Sequence, residues 1–233
     1  MSTERSGKVT EKNFEGRIEE LYQQYRHRQL ANRLDDIADT MEETILQRLL
    51  AEKFLKTDIE IDSEARESVA EVRDLLRDNE FEEIEERIDY LEDKVEDQER
   101  TVSNQIHQAR IQMNSRVSGM QRLNEHVERV SPVKLQAINE LLSDWDWRGQ
   151  VYRDGGFDFE TLKERAAEYG EDMRTYFEEC RNHIFGPYDG TELEPIVDGL
   201  LSDERLSLNS LTDEQVEQLR ESDLIDHVEL ILS

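Results

Sequence analysis

The chain has one cysteine, Cys180, so no disulfide can form within it. It has no run approaching the ~20 apolar residues that a membrane-spanning helix needs. Its opening, "MSTERSGKVTEKNFEGR", lacks the apolar segment of a secretion signal. These absences predict a soluble, cytoplasmic protein with no membrane partner. Lysine is scarce, seven against 22 arginines, while 57 acids give a formal net charge of −28. Acid-rich, lysine-poor composition resembles that of proteins from salt-accumulating halophilic archaea. In molar salt a Debye length of about 3 Å screens the self-repulsion, and the acidic surface stays hydrated. The acids are themselves missing from one place, for "RTVSNQIHQARIQMNSRVSGMQRLN" from Arg100 to Asn124 contains neither aspartate nor glutamate.

What the sequence does have is periodicity. With 36% apolar and 37% charged residues the composition alone would allow disorder, but regular apolar stripes point to folded helices. Residues 1–9 are expected to be a flexible N-terminus. From Thr10 to Leu55, Phe14, Ile18, Leu21 and Tyr25, then Leu34, Ile37, Met41, Ile45 and Leu49, fall three or four apart, as on one helix face. Between the two runs lies "RHRQLANR", weak in apolar residues and positively charged. "TDIEID" at 57–62 breaks the pattern, and Asp62 or Ser63 can cap a shorter helix bearing Val69, Val72 and Leu76. Asn79 followed by Glu82 restarts a helix in the manner of a capping box. Phe81, Ile84, Ile88, Leu91 and Val95 then form a heptad seam, which continues through Val102, Ile106, Ala109, Met113, Val117, Met120, Leu123, Val127 and Val130. Gln98 occupies a seam position between two steps of four, a stutter that locally unwinds a supercoil. At 1.5 Å per residue this helix would span about 75 Å. Residues 10–130 therefore read as an α-helical coiled-coil region: helix, short helix, long helix.

Ser131-Pro132 marks a boundary, an N-cap followed by proline at the first helical position. All three prolines, eight of the ten glycines and both tryptophans lie beyond Val117. "GQVYRDGGFDF" predicts a short hairpin around Asp154-Gly155-Gly156. Leu162, Ala166, Tyr169, Met173, Phe177, Cys180 and Ile184 trace a helix face that ends before "FGPYDG". "PIVDGLL" predicts a short helix, "LSL" a strand, "TDEQVEQLRES" a capped helix and "HVELIL" a closing strand. The fold class expected is mainly α, with residues 131–233 forming a small α+β domain.

No chemical signature accompanies this architecture. "DWDWRG" (144–149) imitates the opening of an EF-hand loop, but Arg148 occupies a ligand position and Gly155 stands where the bidentate acid belongs. Cys180 and His183 form a lone Cys-x-x-His, two ligands short of a zinc site, and the thiol falls on the apolar stripe. Phosphate-cradling, nucleophile-elbow and zinc-protease motifs are absent. No catalytic residue, cofactor or metal is assigned.

Three accounts compete for the acid-free run. Nucleic-acid binding would use Arg110, Arg116 and Arg122, but at about 100° per residue these point in different directions rather than along one phosphate-tracking stripe. Alternatively, other helices enclose the run on several sides, and an unpaired carboxylate is excluded by its desolvation cost. Thirdly, the run is a docking face for another protein, with flexible Met113 and Met120 at its centre. The last two share their physics. The resulting expectation is a non-enzymatic coiled-coil scaffold in a larger assembly, which pairs with itself or a protein partner through Val102, Ile106, Ala109, Met113, Val117, Met120, Leu123 and Val127. The alternative is a nucleic-acid-associated accessory subunit acting through its C-terminal domain.

Overall fold

A computed structural model describes residues 4–60, 64–78, 81–127, 132–153, 155, 158–201 and 210–222. Among the described residues eight α-helices follow one another: α1 (Glu4–Leu55), α2 (Glu64–Asp78), α3 (Phe81–Val127), α4 (Pro132–Asp144), α5 (Arg148–Val151), α6 (Phe159–Phe185), α7 (Glu194–Leu201) and α8 (Asp213–Glu221), with a 3-10 turn at Gly186–Tyr188. The helix, short helix, long helix order is present. Helix α1 already begins at Glu4, inside the segment expected to be flexible. The chain forms two compact units, one of residues 1–45 and 60–102, the other of 46–59 and 103–233. The division thus runs through α1 and α3 rather than at the change of composition near 130.

The first unit is a three-helix packing of α1, α2 and the first part of α3. Its core joins Leu30, Leu34, Ile37, Ala38 and Met41 of α1 to Val72 and Leu76 of α2 and to Ile84, Ile88, Leu91 and Val95 of α3. These α3 residues are the expected heptad seam. Helices α1 and α3 run parallel, because Arg26 pairs with Glu85 at 2.8 Å and, further along both helices, Arg33 holds Asp89 at 2.7 Å and also Glu92. The chain reverses between α2 and α3, where Arg87 reaches Glu71 at 3.1 Å. These bridges give one reason for arginine over lysine, since Arg26 binds Glu85 through Nε and Nη2 together, a planar fork that a single ammonium cannot reproduce.

In the second unit the end of α1 is the most deeply buried stretch, with Leu46, Leu50, Ala51 and Phe54 fully covered. Lys56 then takes φ 56°, the left-handed conformation that stops a helix. Helix α6 buries Leu162, Ala166, Gly170, Met173, Phe177, Cys180 and Ile184, the expected face with Gly170 buried and Tyr169 half-buried. A Cβ at Gly170 would stand 2.8 Å from the Leu50 carbonyl oxygen, so the two helices cross in direct backbone contact. Lys53 bridges to Glu171 beside that crossing at 2.6 Å.

The expected α+β character of residues 131–233 is corrected: no strand occurs among the described residues. Where a hairpin was expected, Arg148–Val151 is helical and Val151 is buried. Beyond it Asp158 caps α6, accepting a hydrogen bond from the Thr161 amide at 3.0 Å. "LSL" and "HVELIL" lie outside the described residues. The short helix over "PIVDGLL" is α7, and α8 begins with a capping box between Thr212 and Gln215.

Candidate interaction surface

The acid-free run is the C-terminal half of α3, and the chain itself covers its seam. Val102, Ile106, Met113, Val117 and Met120 are buried within the single chain, and Ala109 is half-buried. The side chains of Leu123 and Val127 lie outside the described set. From Ala109 onward the covered arc is wide, taking in Asn114, Ser115, Ser118 and Gln121 as half-buried, with Gly119 and Asn124 buried. Enclosure by intrachain helices thus accounts for the missing acids there. A partner would reach the seam only by displacing the chain's own helices.

Arg110 shows how a basic residue belongs in that stretch. Its Nε donates to the Leu142 carbonyl at 2.8 Å and its Nη2 to the Ser143 carbonyl at 2.6 Å, closing the C-terminal end of α4. The guanidinium lies 5.3 Å from the Trp145 ring centre, and burial pushes its pKa down. Trp145 ends α4 at φ 52° while Trp147 is fully buried. Both tryptophans therefore serve packing around α4 and α5. Arg116 and Arg122 are exposed, so the three arginines do not gather into one face.

No group of three metal-ligating side chains occurs among the described residues. Cys180 is buried, and desolvation pushes its thiol up, with nearby Lys134 opposing in part. His183 is exposed and its Nδ1 contacts the Glu179 carbonyl at 2.7 Å. A niche of about 10 Å³ lies between Met41, Thr44, Ile45, Val95 and Gln98, room for about one water. Gln98, the polar residue at the seam stutter, thus lines this niche together with Thr44, whose hydroxyl donates to the Thr40 carbonyl at 2.8 Å. Farther along, Arg165 donates to the Arg153 carbonyl at 2.6 Å and Arg174 pairs with Glu178. Among the described residues no helix is long and apolar enough to cross a membrane.

The surface that stands out is the start of α1. Phe14, Ile18, Leu21, Tyr22 and Tyr25 are 66%, 52%, 64%, 57% and 61% exposed. They precede the first core residue, Leu30, and Phe14, Ile18, Leu21 and Tyr25 follow heptad spacing while Tyr22 flanks them. Taking about 100° per residue, the mean direction of Phe14, Ile18, Leu21 and Tyr25 lies roughly 160° around the helix from that of Leu30, Leu34, Ile37 and Met41. The ladder is therefore not an overhang of the buried face. It points away from α2 and α3, and "RHRQLANR" is where the apolar stripe changes sides. Charge changes there too: residues 1–33 hold seven basic against five acidic residues, so the whole of the −28 lies beyond them. Sequence reading found this stripe but assigned it to the same face as the core.

The chain matches no protein-family model, no curated protein and no solved structure.

Proposed function

We propose that this protein is a non-enzymatic helical interaction or scaffolding protein, a component of a larger assembly in a salt-accumulating, halophilic cytoplasm, and that it engages its partner through the α1 ladder. The observation that carries this reading is the exposed run Phe14, Ile18, Leu21 and Tyr25 on the face opposite α1's own core, with exposed Tyr22 on its flank. Large apolar side chains kept in water, four of them at regular helical spacing, are costly to solubility and are characteristic of a protein contact. The partner seat is thereby reassigned from the buried α3 seam to α1. Capture of tagged chain from its native cell in molar salt tests it. The native chain should retain a defined set of proteins that the Ile18→Glu, Leu21→Glu variant loses, and equal retention by both would remove the ladder from the account.

A nucleic-acid-associated role is the second reading, favoured by one observation: Phe14, Tyr22 and Tyr25 stand beside Arg17 and Arg28 in a segment, residues 1–33, where seven basic residues meet five acidic ones. Titration of the chain with a fluorescent oligonucleotide in molar salt separates the two, since phosphate contacts weaken steeply there and apolar ones do not.

A further inference from the structure

We propose that the partner of the α1 ladder is a second copy of this chain, paired antiparallel about a two-fold axis between Glu19 and Glu20. This rests on the interaction reading above. The ladder reads aromatic, aliphatic, aliphatic, aromatic, and is its own complement when reversed. An antiparallel two-fold sets Ile18 against Leu21 of the second copy and Phe14 against Tyr25 of the second copy, the self-complementarity that an isologous interface requires. Arg17 then lies near Gln24 of the second copy, so like charges do not face one another across that flank. With such side chains carrying roughly 150–250 Å² each, the five expose on the order of 600 Å² per chain. The pair would bury about 1,200 Å², the lower end for specific interfaces.

Charge selects the occupant and the direction. A surface of mixed sign fits a copy of itself, whereas the rest of the chain, which carries all of the net negative charge, would repel another copy elsewhere. Parallel pairing would bring the two acidic remainders to the same end of the interface. Antiparallel pairing separates them.

The experiment uses the purified full chain in molar potassium chloride, with mass read by light scattering over a range of concentrations. The native chain should be a dimer. Ile18→Glu with Leu21→Glu should be monomeric over the same range with its helicity at low temperature kept, because both side chains are exposed in the single chain, and its melting temperature should lose the concentration dependence that a dimer has. Ile111→Glu, an equally exposed apolar residue on α3, should leave the dimer intact. A spin label at Arg28→Cys in a Cys180→Ala background should report a separation of about 25–30 Å in the antiparallel pair, against about 10–15 Å in a parallel one. A short distance, a dimer that survives the double change, or a monomeric native chain overturns the proposal. If the native chain is monomeric yet its capture of other proteins still depends on the ladder, the interaction reading stands without self-pairing. If ladder-dependent capture is also absent, both fall.

Discussion

Two glycines and an arginine show how single side chains set the packing. Gly170→Ala brings a methyl to 2.8 Å from the Leu50 carbonyl oxygen and the Lys53 Cβ. Backbone cannot swing aside, so the helices must part, at a cost of about 1–3 kcal/mol. Helix propensity alone would have the opposite sign, a gain of about 1 kcal/mol. Gly16→Ala supplies that contrast, because a Cβ there meets nothing within 4 Å, and it should leave stability unchanged or slightly raised. Urea unfolding of both variants separates the effects. Arg110→Leu should cost about 1.5–3 kcal/mol by leaving the Leu142 and Ser143 carbonyls without their charged donor. Arg110→Lys should recover only part, since one ammonium lacks the fork that reaches both. Neither site is visible as such in the sequence: Gly170 reads as one more residue on α6, and Arg110 reads as a candidate for phosphate.

At the scale of the helices, spacing was readable and the identity of the covering face was not. The seam through Ile84, Ile88, Leu91 and Val95, the face of α6 and the capped α8 follow from three-and-four periodicity and capping chemistry, both local in sequence. Whether the seam from Val102 to Met120 meets its own chain or another depends on distant segments, and periodicity is silent on that. The hairpin failed for a related reason, because glycine pairs mark a bend without saying what flanks it. The phase shift in α1 was measurable from the letters, through the step of five from Tyr25 to Leu30. Met113→Glu with Met120→Glu should now destabilise the single chain by several kcal/mol, lowering helicity whatever the oligomeric state, because both side chains are buried within it. Gln108→Glu with Gln112→Glu, on exposed positions, should shift the melting temperature little. Circular dichroism melts in molar salt check both.

For the whole molecule, charge governs the conditions of folding. Melting temperature should rise steeply from low to molar potassium chloride as screening removes the repulsion of a −28 chain; a flat profile would remove the halophilic reading. Acid acts in a second way. Arg26 holds the Glu85 carboxyl below its ordinary value of 4.5, and Lys53 and Lys134 do the same for Glu171 and Glu179. A carboxyl with a lowered folded pKa contributes its stability above the unfolded value and loses it as pH falls through the folded one. Urea midpoints should therefore decline below about pH 4.5, each exposed pair adding only a small part. The solitary Cys180 also turns the second unit into its own clock. A thiol sealed on α6 can meet an alkylating reagent only after that helix lifts, so the rate at which label accumulates, once reagent is saturating, equals the frequency of opening. The native chain should react over a far longer time than the same chain in urea, and Gly170→Ala should shorten that wait by loosening the crossing with α1.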